Sequence, residues 1–112
     1  MQRTNDWRYP RLHRAGEALL TLAATAPPPG DWRRRTLTQA FRELLLAQAS
    51  DWAFMMARGT TVEYAERRTL GHIDRCTRLC DAVARGTPDD ALLATSEAQT
   101  PLFPALDLAA LR

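Results

Sequence analysis

The sequence predicts an all-α fold: a small helical bundle of three long helices, a short C-terminal helix and an extended tail. Three observations carry that expectation. Apolar residues recur at three- and four-residue steps through most of the 112 positions. No segment alternates with period two, and no Asn-Gly or Asp-Gly hairpin turn occurs. The strong turn formers fall between the periodic stretches, at Pro27-Pro28-Pro29-Gly30, at Gly59 and at Gly86-Thr87-Pro88.

The first helix is expected over residues 7–26. Tyr9, Leu12, His13, Gly16, Leu19, Leu20 and Ala23 share a face, and Asn5 or Asp6 can cap the start. Pro10 is tolerated only in the first turn, which places Trp7 at the very beginning, where a helix end projects a side chain outward. Ala26 and the proline triplet end the helix as a stiff connector.

Asp31 caps the second helix, about Trp32 to Arg58, roughly 40 Å long at 1.5 Å per residue. Leu37, Phe41, Leu44, Leu45, Gln48, Trp52, Met55 and Met56 form its continuous face. Gln48, Ser50, Asp51 and Trp52 make the C-terminal half of that face mixed, as expected of a surface that meets something besides its own core. Arg33, Arg34 and Arg35 occupy the first turn, the unfavourable end of the helix dipole for cations. They read either as a solvated face or as groups compensated by an acidic or hydroxyl-rich partner.

Gly59 closes this helix, and Thr60 with Glu63 has the spacing of a capping box, so a corner joins two long helices. The third helix is expected from about Thr61 to Arg85, with Val62, Ala65, Thr69, Ile73, Cys76, Leu79 or Cys80, and Val83 inward and Gly86 as its stop. Thr87-Pro88-Asp89-Asp90 opens the short fourth helix, with Pro88 at its first position. The tail TPLFPALDLAALR is expected to be extended, packing Leu102, Phe103 and Leu106 across the bundle.

A single helical domain accounts for all 112 residues. At 46% hydrophobic and 25% charged, the chain has an ordinary globular composition. No run approaches 18 consecutive apolar residues and no signal-peptide core is present, so no membrane association and a cytoplasmic location are expected. A net charge of +2 is too small to argue for nucleic acid, and the helices are too long for a compact helix-turn-helix. The fifteen basic residues are all Arg, which a high-GC coding bias explains without a binding surface.

No GxSxG, P-loop or HExxH motif is present. The carboxylates read as helix caps (Asp31, Glu63, Asp89) or helix-surface partners, and His13 and His72 as partly buried packing residues. His72, Cys76 and Cys80 form H-x3-C-x3-C, but a structural zinc wants four ligands and no fourth is evident. Buried thiols on a core stripe are the expectation, with no metal and no cofactor.

LLLAQASDWAF (44–54) followed by GTTVEYAERRTLGHIDR (59–75) resembles the C-terminal helical domain of the 1,4-alpha-glucan branching enzymes and amylases of glycoside hydrolase family 57. NDWRYPRLHRAGEAL (5–19) is similar to that family's opening helix, and LFPALD (102–107) to its Phe-Pro-x-Ile/Leu-Asp tail. The chain departs from the pattern at Ala53, where Pro is expected, and at Cys76 and Cys80, where aromatic residues usually stand.

The resemblance implies a domain of α-glucan metabolism that completes a substrate and acceptor cleft. In the family, two carboxylates on a catalytic barrel cleave the α-1,4 bond with retention and pass the glycosyl group to a 6-hydroxyl. No residue here matches either carboxylate, so the chain alone is expected to be inactive. Its expected partners are an α-glucan, reached through a barrel that a separate catalytic chain supplies unless the chain is a remnant whose barrel is lost, and a second copy of itself as a homodimer. Trp52 with Asp51, and Trp7, are the candidate substrate-binding residues, since an indole stacks on a pyranose face while its N–H bonds a hydroxyl. Trp52 as a plain core or interface anchor is the competing reading. At the level of function, the competing reading is a helical protein–protein interaction module with no glucan role.

Overall fold

The computed structural model of the chain describes residues 8–56, 58–59 and 61–99. Four α-helices follow one another: α1 (Arg8–Ala23), α2 (Trp32–Met56), α3 (Thr61–Arg85) and α4 (Asp90–Gln99). Among the described residues there is no strand. The all-α architecture of three long helices and a short one is therefore as the sequence predicts. Trp7, the Thr60 half of the capping box and the whole tail from 100 to 112 lie outside the described residues.

Two of the starts, those of α2 and α4, show a local cause, while Asn5 and Asp6, the expected caps of α1, lie outside the described residues. Asp31 Oδ1 accepts from the Arg33 backbone N–H at 2.8 Å, so Asp31 is the N-cap of α2. Asp89 Oδ1 takes the Leu92 N–H at 3.0 Å and caps α4. Pro88 consequently precedes the cap of α4 instead of occupying its first position, so the helix begins two residues later than expected.

The stops are equally local. At the end of α3 the Thr87 N–H reaches the Ala82 carbonyl (3.0 Å) and the Gly86 N–H the Val83 carbonyl (3.1 Å), with Gly86 at φ 70°. That is a Schellman closure, and it needs the left-handed conformation glycine adopts without strain. Helix α1 ends at Ala23, three residues before its expected end. Pro27 disfavours helical geometry at Ala26, which instead takes φ 50°. Helix α2 is described to Met56, and Arg58, its expected end, is no longer helical.

The core lies where α1, α2 and α3 meet: Ala15, Leu19, Leu37, Phe41, Leu44, Cys76, Leu79 and Val83 are buried together, joined by Leu93 of α4. Helices α2 and α3 each touch all the other elements, whereas α1 and α4 do not meet. Because α2 is flanked by neighbours on more than one side, it buries Thr36, Gln39 and Glu43 as well as its apolar stripe. The expected inward faces need three corrections. His13 is exposed and pairs with Glu17 at 2.7 Å, because α1 turns Leu12, Ala15 and Leu19 to the core and leaves residue 13 pointing away. Leu20 is half exposed for the same reason. Gln48 is exposed, and Ala47 takes the buried position beside it.

Candidate functional site

Two of the expected substrate-binding residues, Asp51 and Trp52, belong to the end of α2, close to the corner where it runs into α3. Gly59 has φ 60° and its carbonyl accepts from the Val62 N–H at 3.2 Å, so the corner is a glycine turn leading straight into α3. Asp51 and Trp52 lie in the last two turns of α2; their side chains, like Trp7, fall outside the described set. On either side of the turn the described side chains include two large exposed groups, Met56 (61%) and Tyr64 (57%). The Arg68 guanidinium lies 5.7 Å from the Tyr64 ring centroid, a cation–π contact one helical turn further on.

In the middle of the bundle stands a polar hub that the sequence reading missed. Glu43 was expected on the helix surface, yet its residue is 0% exposed. Its Oε1 accepts from His72 Nδ1 at 2.7 Å and Arg75 Nε at 3.0 Å, and its Oε2 from Gln39 Nε2 at 2.8 Å. Gln39 is held in turn by Arg42, whose Nη1 donates to Oε1 at 2.8 Å, and its Nε2 also reaches the Ser96 carbonyl at 3.2 Å. One carboxylate thus ties α2 to α3 directly and to α4 through Gln39.

Burial, the largest influence on Glu43, pushes its carboxyl up, but the hydrogen bonds from His72, Gln39 and Arg75 and the charge of Arg75 together carry it below the usual glutamate range. With Glu43 ionised, the His72 ring proton sits on Nδ1. Arg75 Nη2, 3.0 Å from that same nitrogen, then meets a donor and adds no bond. Ser96 is fully buried, and among the described residues its Oγ has no hydrogen-bond partner.

The H-x3-C-x3-C motif lies in the core beside this hub. His72 faces Glu43, while Cys76 and Cys80 are free, buried thiols. The Cys76 thiol is pushed far up by its hydrogen bond with Cys80, then by burial and the nearby charges of Cys80 and Glu43, which keeps it protonated. Buried thiols on a core stripe are what the sequence led us to expect. Among the described residues no group of three His, Cys, Asp or Glu side chains converges to hold a metal.

The three first-turn arginines of α2 are compensated. Arg33 forks onto Asp31 (Nε–Oδ1 3.1 Å, Nη2–Oδ2 2.8 Å), and that side-chain pair, with the backbone bond, brings the Asp31 carboxyl down to about 2. Arg35 forks onto Glu97 of α4 at 2.9 and 2.6 Å, and Arg34 donates to the Pro27 carbonyl at 3.0 Å.

The fold and hub define an all-α bundle in which one buried carboxylate fixes how α2, α3 and α4 meet. Residues 11–110 match the family described as 1,4-alpha-glucan branching enzyme, C-terminal, and the chain belongs to that family. It is 32% identical over 80 residues to a 1,4-alpha-glucan branching enzyme of Thermococcus kodakarensis, covering 71% of this chain and 12% of that protein. It is also similar to the crystal structure of the alpha-amylase AmyC of Thermotoga maritima, with a TM-score of 0.85 and 38% identity over 98% of this chain and 21% of that one. The chain thus spans about an eighth to a fifth of the length of these relatives. Among the described residues no helix is long and apolar enough to cross a membrane.

Proposed function

We propose that this chain is the helical domain that completes the acceptor side of the substrate cleft in a cytoplasmic 1,4-alpha-glucan branching enzyme of glycoside hydrolase family 57. The cleft would be closed against a catalytic barrel outside these 112 residues. The supporting observation, beyond membership of the family, is the corner: position 52 lies one helical turn before Met56, whose side chain is 61% exposed next to a glycine turn and an exposed Tyr64. Among the described residues the large apolar side chains are mostly buried, Leu20 apart, so an exposed Met56 and Tyr64 flanking the turn fit a surface covered by a neighbour.

A retaining glycosyl-enzyme yields a branch only if a sugar hydroxyl reaches it before water does. The domain's part is then to exclude water and to position the acceptor chain. In this reading Trp52 offers a stacking face for a glucosyl ring, Asp51 a hydrogen-bond acceptor for its hydroxyls, and Trp7 a second aromatic where the domain begins. Without a barrel, the same corner would pair two copies of the chain.

The test is Trp52→Ala in a complex with the barrel. Total transfer falls, and the ratio of hydrolysis to branching rises, because the barrel carboxylates are untouched while water gains access. A packing role gives the opposite pattern: an unchanged product ratio with a loss of roughly 3–5 kcal/mol in the stability of the domain. That second pattern refutes the proposal for Trp52.

A further inference from the structure

At the far end of α2, twenty residues and roughly 30 Å from Trp52 along the helix, a cleft opens between the Pro29-Gly30 turn, the first three turns of α2 and one side of α4. Its volume is 540 Å³, within the range of small-molecule sites. Buried Leu93 and half-buried Trp32, which packs against the core, make its apolar part. The polar part is a set of planar or hydroxyl side chains held in place. Arg35 and Glu97 are locked fork to fork, Arg42 is fixed on Gln39, and the Thr38 hydroxyl is bonded to the Arg34 carbonyl at 2.8 Å.

Charge narrows what such a cleft would hold. Among its described lining residues, three guanidinium groups (Arg34, Arg35, Arg42) stand against three carboxylates (Asp31, Asp90, Glu97). A phosphate entering would meet the carboxylates, and a cation the guanidinium groups, so neither is favoured. A neutral polyhydroxyl compound gains from both, since each hydroxyl can accept from an Arg fork and donate to a carboxylate. The indole of Trp32 supplies the apolar face that a pyranose ring lies on.

We propose that this cleft binds a neutral α-glucan segment through Trp32, Arg35, Arg42 and Glu97, giving the domain a glucan contact at the opposite end of α2 from its corner. The substrate class rests on the function proposed above; the site itself rests on the cleft's own geometry.

The full chain is titrated with maltoheptaose by calorimetry, alongside Trp32→Ala and Arg35→Met. Arg35 is a largely exposed side chain, so its replacement leaves the helical signal intact even if Trp32→Ala loosens the core. Wild-type chain binds maltoheptaose; Trp32→Ala weakens binding roughly tenfold or more, about 1.4 kcal/mol, Arg35→Met weakens it severalfold, and inorganic phosphate does not compete. Undiminished affinity in both variants overturns the site, as does displacement by phosphate. Binding lost in Trp52→Ala but kept in these two variants also overturns it, and leaves the corner's role standing. If wild-type chain does not bind maltoheptaose the cleft is not a glucan site, whereas the corner's role is decided separately by the branching ratio.

Discussion

Replacing Glu43 by Gln keeps the shape of the hub and removes its charge. The amide oxygen can still accept from His72 and Arg75, but the new NH2 group then faces Gln39 Nε2, which now donates to Oε2 at 2.8 Å. Flipping Gln39 does not help: it would turn its amide N–H toward Arg42 Nη1 and give up the Ser96 carbonyl. The variant therefore loses one hydrogen bond to a charged group and leaves Arg75 without its anion. Removing one partner of a buried pair costs about 3–5 kcal/mol. The Arg75 side chain is 24% exposed and keeps some water, which lowers the expectation to about 2–4 kcal/mol. For a chain of this length that is a fall in melting temperature of about 8–16 °C. Thermal unfolding followed by circular dichroism at neutral pH measures it.

The same variant has a pH signature. The folded-state pKa of Glu43 is lowered, so its stabilising contribution is fully present above the unfolded glutamate value of about 4.3 and is lost as pH falls through the folded value. Wild-type chain should therefore lose stability on acidification below about pH 4, and the difference between it and Glu43→Gln should shrink there. A fall of less than about 3 °C at neutral pH, or a difference that does not change with acid, would refute a charged, compensated Glu43.

Three further outcomes test the fold. Ala26→Gly should stabilise by about 0.5–1 kcal/mol, because Ala26 holds φ 50° at a cost that glycine does not pay, less the extra entropy of an unfolded glycine; chemical denaturation reads this. Asp89→Ala should cost about 1 kcal/mol by removing the cap on the Leu92 N–H, with hydrogen exchange rising first in α4. Leu79→Ala, at a fully buried position, should cost about 2–5 kcal/mol in the same denaturation experiment.

What was legible in the sequence were features written in local chemistry. The starts of α2 and α3 and the end of α3 fell at the expected residues, because Asp31, Gly59 and Gly86 act on their immediate neighbours. The end of α1 did not. Apolar period alone cannot show that Pro27 unwinds the last turn and that Ala26 absorbs the strain. The inward side of α1 was misjudged by one step of about 100°, enough to put His13 in solvent. Glu43 was missed for a deeper reason: a carboxylate on a helix defaults to the surface, and only a neighbouring helix can make it an interior residue. The signal was present, since Thr36, Gln39 and Glu43 on α2, and Thr69, His72 and Arg75 on α3, are polar groups at helical spacing. Which stripe met which was a question of tertiary pairing.

That pairing explains why a hub of this kind sits in a core that apolar residues could fill. Buried ion pairs seldom add stability over well-packed hydrophobic side chains. What they add is sensitivity to register. Leu and Ala on α2 and α3 tolerate a slide of one turn, because one apolar contact replaces another. Glu43 does not: moved one turn, about 5.4 Å, it loses His72 and Arg75 and stands as an uncompensated charge, while Gln39 leaves the Ser96 carbonyl. The hub lies between the corner at Gly59 and the cleft at Trp32, so fixing α2 against α3 and α4 there sets both ends at once. Neither the turn at Gly59 nor the exposed Arg35–Glu97 fork could impose this alone, since each acts at one end of the helix and the fork is open to water.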